Sequence, residues 1–458
     1  MEHGKYTYST FACIFVILIS LINFGRGIVA DFRDDVYRHD AVFPPDRIIG
    51  GDFQCYYYMA LRVRYGLPLY EERDHTDQRQ VKLDEHYRKM LGSLPDEDKD
   101  WIVTVQTLPW NHTPIAACLF IPFTFLAYPW AYRVYLGLLI AALFLSLALL
   151  GGYSRCRANY WAVSSALVVF SYPLLFQLER GASESFVLLL LTLAFVLWRG
   201  RRNDIGVGVL IALAAHMKVY PLIFLYYFIL KKEWRICGSI IVSALILVAA
   251  SALVSREGVA AGIAQYGKLY RFVKDVYITE NTWAFAGNHS TYSFMSYLLE
   301  KRTLSPALLI RISNLINLAL LACVSLSIVA RKAHDTFSPL MDFSLVIILM
   351  TVISPAANDY SLVVLYFVFA ACTIVFEILD FRPLRTRALF LTFSLSAALI
   401  FLSFLKMPIA AGPSGGYLRR LWFLSNKWPL LMLLGGTVWL VRRALLVRPG
   451  TPRPPYGP

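Results

Sequence analysis

Apolar runs about as long as a bilayer is thick recur along the chain from residue 11 to residue 441. Each run ends at charged residues, glycine or proline, and about 20 apolar residues in a helix span the hydrocarbon core. The pattern predicts an all-α polytopic membrane protein with about 12 transmembrane helices and little room for a soluble domain. Composition agrees with this class, because 57% of the residues are hydrophobic and only 16% are charged.

The first apolar run, residues 11–30, has two interpretations. Its position and apolarity fit a secretory signal peptide. However, Arg26 interrupts its end, and no small-x-small cleavage site precedes the acidic stretch that follows. We therefore expect this run to be the first transmembrane helix.

Lysine and arginine collect in short clusters between the apolar runs, and such clusters mark the cytoplasmic side. They lie at 199–202, 231–235, 331–332, 382–387 and 441–443. Residues 31–113 differ, with 16 acidic against 11 basic residues in a chain of net charge +14. We predict one transmembrane domain over 1–445 in the cell membrane, with extracytoplasmic loops at 31–113 and 255–303, and a disordered cytoplasmic tail at 446–458.

The topology depends on residues 114–131, which are apolar but contain prolines at both ends and in the middle. Because proline kinks helices and removes backbone donors, we expect this segment to enter the membrane without crossing it. The stretches 205–217 and 219–230 then form two short helical arms around Lys218. If 114–131 does cross, those arms become one long kinked helix, and two basic loops violate the positive-inside rule.

Asp52 stands out at the membrane edge, in GGDFQCYYYMALRVRYGLPLYE at 50–71. The run from Phe53 to Arg64 is compatible with an amphipathic helix along the interface, and tyrosines such as Tyr57 suit the headgroup level. The aspartate is then either a helix cap on an interfacial anchor or a functional acid.

Four other polar groups lie where polarity is costly in a membrane. Glu179 and Arg180 stand between two apolar runs, either as a site or as an ordinary ion pair at a helix end. Lys218 lies inside an apolar stretch and suits an anion as its ligand. The groups Asn288–His289 and Asn358–Asp359 are either sites or simple turns. All of them fall on the same outer face as Asp52 in the preferred topology.

These elements resemble, in order and over about residues 31–380, those of glycosyltransferase family 87, whose C-type membrane enzymes take sugars from polyprenyl-phosphate carriers. The matching stretches are GGDFQCYYYMALRVRYGLPLYE, LPWNHTPIAACLFIPFTFLA, LERGASES, AAHMKVYPL, GNHSTYSF and SPAANDYSL. Three departures occur: Ala182 and Ala357 replace the family's usual asparagine and serine, and Asn111 begins a stretch where Tyr-Pro-Pro is usual.

The resemblance implies a C-type glycosyltransferase fold whose large first extracytoplasmic loop carries interfacial helices. It implies inverting transfer of a hexose, with mannose expected, from a polyprenyl-phosphate donor to a lipid or glycan acceptor. Asp52 would be the catalytic base. No metal or other cofactor is expected. The residues expected to bind the donor phosphate or substrate are Arg180, Lys218, His289, Asn288, Glu179, Asp359 and Tyr57.

Two other classes of function use the same residues. A transporter or flippase of a polyprenyl-linked glycan would guide the headgroup with these charges, although the internal symmetry usual in transporters is not visible in the sequence. A structural assembly subunit would leave Asp52 and Lys218 replaceable. Membrane lipids are expected partners, and nucleic acid is not.

Overall fold

A computed structural model gives the fold of most of the chain. The residues it describes are 51–67, 69, 78–91, 112–169, 171–201, 203–254, 258–272, 288–299, 305–329, 337–379, 383–401 and 426–446. The predicted first transmembrane helix at 11–30 lies outside these residues, as does the predicted tail beyond Leu446.

The first half of the described chain is a series of helices without β-strands. In chain order they are α1 (Gly51–Tyr65), α2 (Gln78–Leu91), α3 (Pro114–Leu119), a 3₁₀-helix (Ile121–Phe125), α4 (Tyr128–Gly151), α5 (Arg157–Val169), α6 (Tyr172–Arg180), α7 (Glu184–Arg199), α8 (Asp204–Met217), a 3₁₀-helix (Tyr220–Leu222), α9 (Ile223–Leu230) and α10 (Trp234–Leu253).

The second half continues in the same way. Its helices are α11 (Val259–Phe272), α12 (Thr291–Leu299), α13 (Pro306–Val329), α14 (Ser338–Ile353), a 3₁₀-helix (Asp359–Leu365), α15 (Tyr366–Phe376), α16 (Leu384–Phe401) and α17 (Trp428–Leu446). Among the described residues the only β-type pairing is an isolated antiparallel bridge between Asn288 and Asn358. The prediction of an all-α protein is confirmed for this part of the chain.

Within the described residues, five helical stretches are long and apolar enough to cross a membrane, and a bent pair formed by α5 and α6 makes a sixth if it is one span. The five are Trp130–Gly151, Trp234–Leu253, Pro306–Val329, Asp359–Phe376 and Leu384–Phe401. The described residues therefore support a membrane protein, while the predicted number of about 12 crossings stays a prediction.

The proline-containing segment after residue 113 folds into two short helices, α3 of six residues and a 3₁₀-helix of five. Neither is long enough to span a bilayer, since an α-helix rises only about 1.5 Å per residue. This agrees with the expectation that the segment does not cross. Its last residues differ from the prediction, because the long helix α4 already begins at Tyr128, with Pro129 in its first turn.

The break predicted at Lys218 is present, because α8 ends at Met217 and Lys218 adopts an extended backbone. Pro221 follows in a single 3₁₀ turn before α9, as expected where proline cannot continue a helix. Side-chain caps fix the starts of two nearby helices. Ser171 accepts from the Leu174 N–H at the start of α6, and Asn203 from the Gly206 N–H at the start of α8.

The main hydrophobic core surrounds α14 and α15. Every residue from Ser338 to Val352 is buried, as are all eleven residues of α15. In contrast, α10 and α13 expose most of their apolar side chains, as helices facing lipid do.

A second core lies beneath α1, and it corrects one prediction. Ten of the fifteen residues of α1 are buried, including Tyr56, Tyr57 and Tyr58. The Phe53 ring stacks on Tyr135 of α4 at 4.7 Å between centroids, and Tyr56 stacks on Phe120 at 4.3 Å. The helix predicted over Phe53–Arg64 is therefore real but not amphipathic, because protein covers most of its circumference.

Candidate functional site

Asp52 and Arg180 form an ion pair between the first turn of α1 and the last residue of α6. Arg180 donates to Asp52 Oδ1 from Nη2 at 2.6 Å and from Nε at 3.1 Å. Both side chains keep some contact with solvent, with 15% of Asp52 and 33% of Arg180 exposed. Both hydrogen bonds go to Oδ1, and no described residue donates to Oδ2. Within the described part of the chain, only Oδ1 of this carboxylate is hydrogen-bonded.

Gly181 explains why the two helices approach so closely. It ends α6 in the left-handed conformation, with φ of +67°, which favours glycine. A Cβ on Gly181 would lie 2.6 Å from Phe53 Cβ, so only the missing side chain leaves room for α1. The same turn is held by Gln177, whose Nε2 donates to the Ala182 carbonyl at 3.0 Å.

Glu184 and Lys218 form a second ion pair, deeper in the protein. Lys218 Nζ lies 3.3 Å from Glu184 Oε1, and the side chains are 11% and 0% exposed. Neither oxygen of Glu184 has a hydrogen bond from the described residues, nor do the buried hydroxyls of Tyr135 and Tyr220. Because a buried charge requires a counterion, Lys218 is what compensates Glu184.

Tyr360 lies between the two ion pairs. Lys218 Nζ is 5.4 Å from the centroid of its ring, within the range of a cation–π contact. The Tyr360 ring also stacks on Phe176 at 5.9 Å between centroids, and Arg180 Cζ lies 5.9 Å from the Phe176 centroid. Asn358 fixes the tyrosine by donating to its hydroxyl at 2.7 Å. The two cations therefore share one aromatic wall.

Hydrogen bonds from Asn288 connect the residues before α12 to the turn after α14. Its Oδ1 accepts from the Ala357 N–H at 3.0 Å, and its Nδ2 donates to the Pro355 carbonyl at 2.9 Å. The His289 N–H donates to the Ala357 carbonyl at 2.8 Å. These bonds hold in place the turn that leads into Tyr360.

His289 and Asp359 are hydrogen-bonded to each other, and both side chains are buried. The Lys427 N–H donates to His289 Nδ1 at 3.1 Å, so this nitrogen carries no proton. Nε2 therefore carries the proton of a neutral ring and donates it to Asp359 Oδ1 at 3.0 Å. The structure thus brings Asn288, His289 and Asp359 together, in a buried hydrogen-bond network.

The remaining two predicted residues are placed differently. Tyr57 is fully buried and donates from its hydroxyl to the Leu126 carbonyl at 2.9 Å, which fixes α1 against the residues before α4. Glu179 belongs to α6, but its side chain lies outside the described part of the structure.

The electrostatic environment of the first ion pair is marked by its neighbours. The Asp52 carboxylate raises the pKa of Arg180 above its ordinary value, which keeps the guanidinium charged. Burial, helped by the Asp52 charge, raises the pKa of the Cys55 thiol to about 12. Burial and the Lys218 charge lower the pKa of His112, whose ring stacks on Tyr56 at 4.9 Å. The neighbours of Asp52 are therefore a cation and a neutral thiol, and the imidazole that Lys218 influences is neutral.

Glu184 is the site residue that the sequence reasoning missed. It lies in the same stretch as Arg180, at the start of the next apolar run. The sequence does carry a signal for it. A carboxylate and a lone lysine beside apolar runs are each costly to bury alone, and an ion pair between them lowers that cost. Among the described residues, no group of three potential ligands could hold a metal ion.

Chemically, this arrangement offers a carboxylate, with one oxygen that has no donor among the described residues, beside two cations and the aromatic rings of Tyr360 and Phe176. Such a group can accept a proton, while guanidinium and ammonium groups can bind a phosphate. These residues come from four separate segments of the chain, which the fold brings together.

The model of glycosyltransferase family 87 matches residues 110–355, just over half of the 458 residues. The matched part contains Arg180, Glu184 and Lys218, whereas Asp52 and Asp359 lie on either side of it. Comparison with curated proteins and with solved structures gave no match. The family match and the apolar helices together identify a membrane glycosyltransferase, and the chain belongs to glycosyltransferase family 87.

Proposed function

We propose that the protein transfers a hexose, with mannose the expected sugar, from a polyprenyl-phosphate donor to a lipid or glycan acceptor, with inversion at the anomeric carbon. The observation that carries this proposal is the geometry of Asp52, which is held at Oδ1 by Arg180 and has no donor to Oδ2 among the described residues. A base for glycosyl transfer needs such a fixed carboxylate with one free lone-pair face.

In this mechanism Asp52 Oδ2 accepts the proton of the acceptor hydroxyl as its oxygen attacks the anomeric carbon. The bond between that carbon and the phosphate oxygen breaks, and its electron pair leaves with the polyprenyl phosphate. A single displacement of this kind inverts the configuration. The protein supplies position and charge, which account for most of the rate in such reactions.

Arg180 is suited to the leaving phosphate as well as to Asp52. A guanidinium has five N–H donors, and Arg180 uses only two of them on Asp52. The others remain for a phosphate, for which Arg is well matched in shape. Lys218, which contacts the Tyr360 ring, adds a second positive charge, although its ion pair with Glu184 partly neutralises that charge.

The buried hydrogen-bond network positions the residues that line this site. In the proposal, Asn288, His289 and Asp359 position the turn that carries Tyr360, and Tyr57 positions the helix that carries Asp52. Glu179 is proposed to contact substrate from α6, next to Arg180. The four positioning residues, Asn288, His289, Asp359 and Tyr57, act through the ones that touch the donor, so their loss should affect catalysis less sharply than loss of Asp52.

The direct test is transfer by purified protein in lipid nanodiscs. We would supply radiolabelled polyprenyl-phosphate-mannose with a membrane lipid extract and separate any labelled product. A matched reaction with polyprenyl-phosphate-glucose would identify the sugar. Labelled glycolipid or glycan from one donor supports the proposal. No product from either donor, but movement of intact donor across a vesicle membrane, would instead indicate a flippase.

We also propose that the site faces the extracytoplasmic side of the cell membrane, following the distribution of basic residues. Lys82 on α2 and Lys232 after α9 are both exposed and lie on opposite predicted sides. In intact cells a membrane-impermeant maleimide should label Lys82→Cys, and Lys232→Cys only after permeabilisation. The reverse pattern would contradict the proposed side.

A further inference from the structure

A groove away from the candidate site lies between α13, α14 and α17. Its volume is about 610 Å³, and its walls are mostly aliphatic, with Leu320, Leu349 and Met432 among them. Gly435 and Gly436 of α17 line it, and a Cβ on Gly436 would meet no atom within 4 Å. The groove is therefore a long apolar channel at the helix surface, open beside Gly436.

One end of this groove is cationic. Arg442 and Arg443 both line it. Arg442 donates from Nε to Asp342, and Lys231 Nζ lies 2.6 Å from the same carboxylate. One negative charge therefore balances two cations, and Arg443 adds a third positive charge. Arg442 Nη2 is buried without a hydrogen-bond partner among the described residues. A buried donor of this kind calls for an acceptor, and the surplus charge calls for an anion.

The length of the groove matches one leaflet of a membrane. From Met432 to Arg443 a helix rises about 16 Å, at about 1.5 Å per residue, which is close to half of the roughly 30 Å hydrocarbon core. The arginines lie at the end of α17 where basic residues predict the cytoplasmic side. Asp342 is also near the start of α14, at the opposite end from the turn of the candidate site.

We propose that this groove binds an anionic phospholipid of the cytoplasmic leaflet, with its phosphate at Arg442 and Arg443 and one acyl chain along Gly435 and Gly436. Guanidinium groups match a phosphate diester in both charge and donor geometry. The aliphatic walls favour a lipid over a soluble anion, and the cationic end of the groove lies at the opposite end of α14 from the turn of the candidate site. The lipid holds α13 against α14 and α17.

The test compares thermal unfolding in nanodiscs of phosphatidylcholine with and without phosphatidylglycerol. We expect phosphatidylglycerol to raise the unfolding temperature of the wild type by about 2–4 °C, because it binds only the folded protein. Gly436→Leu fills the groove and Arg443→Gln removes a phosphate ligand, so each should lose at least half of that rise. Gly137→Leu, at an equally open glycine on α4, and Arg235→Gln, at an exposed arginine on α10, should keep it.

Three results would overturn the proposal. One is an absent rise in the wild type, or an equal rise in Gly436→Leu and Arg443→Gln. A second is an unfolding temperature of Gly436→Leu already lowered in phosphatidylcholine alone, which would show that protein fills the groove. A third is the same rise with inorganic phosphate in phosphatidylcholine nanodiscs, which would show that the cations bind a free anion.

Discussion

Arg180 holds Asp52 by one oxygen only, donating to Oδ1 from both Nη2 and Nε, at 2.6 and 3.1 Å. The two residues are 128 positions apart and meet because Gly181 lets α1 pack against the end of α6. This contact orients the carboxylate and leaves Oδ2 without a donor from the described residues. Several consequences of this geometry can be measured.

Replacing Arg180 should impair catalysis far more than folding. Arg180→Gln removes the two donors that orient Asp52, and a misplaced catalytic group costs about 10²-fold in rate. The unfolding temperature should change little, because Arg180 is one-third exposed and solvent screens such pairs. Steady-state transfer and thermal unfolding of the same preparation check both statements.

Arg64→Gln is the matched control for that variant. Arg64 lies at the other end of α1 and donates to the Thr124 carbonyl at 2.9 Å, away from Asp52. Its replacement should leave kcat unchanged. Equal kcat values for wild type and Arg180→Gln would show that Arg180 does not position the carboxylate.

Separating Lys218 from Glu184 should be costly for the fold. Glu184→Gln leaves a buried cation without its counterion, and breaking such a pair typically destabilises by about 3–5 kcal/mol. The double variant Glu184→Leu, Lys218→Met should recover most of this loss, since an apolar pair has no charge to compensate. Unfolding in detergent of the wild type, the single variants Glu184→Leu and Lys218→Met, and the double variant gives the coupling between the two residues.

An exposed pair provides the comparison. Lys89 Nζ lies 2.7 Å from Glu85 on the surface of α2. Lys89→Met should leave the unfolding temperature unchanged. If Glu184→Gln behaves in the same way, the deeper pair is not buried in the folded protein.

Gly181→Ala should disturb the site through the backbone. The new Cβ meets Phe53 Cβ at 2.6 Å in a conformation with positive φ, so α1 must move away from α6. Strain and overpacking of this kind cost about 1–3 kcal/mol each. We expect lower stability and lost transfer activity. Gly137→Ala on α4, where no atom is within 4 Å, should change neither property.

His112 should make the protein less stable in acid. Burial and the Lys218 charge hold its pKa well below the ordinary 6.5 in the folded state. As the pH falls below 6.5, the unfolded chain therefore binds a proton that the folded chain does not, and stability decreases. His112→Phe keeps the ring on Tyr56 but cannot titrate. Its unfolding temperature should fall less than that of the wild type between pH 7.5 and 5.5, and equal falls would contradict the assignment.

Much of the helical pattern could be read from the sequence, because membrane helices are specified by runs of apolar residues and ended by proline. The sequence predicts on this basis the break at Lys218 and a segment after Thr113 that does not cross the membrane, where the structure has two short helices. The burial of α1 was not. Three consecutive tyrosines are typical of a membrane interface, and only the packing against Phe120 and Tyr135 shows that protein covers them.

For the candidate site, sequence could nominate residues but not their partners. Asp52 and Arg180 were both predicted on one face, yet their contact depends on a close approach at Gly181. His289 and Asp359 were expected at the substrate, and the structure bonds them to each other in a buried network. The sequence does not single out Glu184, because Glu179 and Arg180 in the same stretch already fit an ion pair at a helix end. Long-range pairing depends on helix packing, which no local pattern encodes.

Asp52→Asn tests the central claim most directly. The amide keeps the size of the side chain and an oxygen for Arg180, but it cannot accept the proton of an acceptor hydroxyl. With purified protein in nanodiscs, we expect unchanged binding of polyprenyl-phosphate-mannose and a fall in kcat of about 10²–10⁴-fold, the usual contribution of a general base. Turnover at the wild-type rate by a folded Asp52→Asn protein would contradict the account.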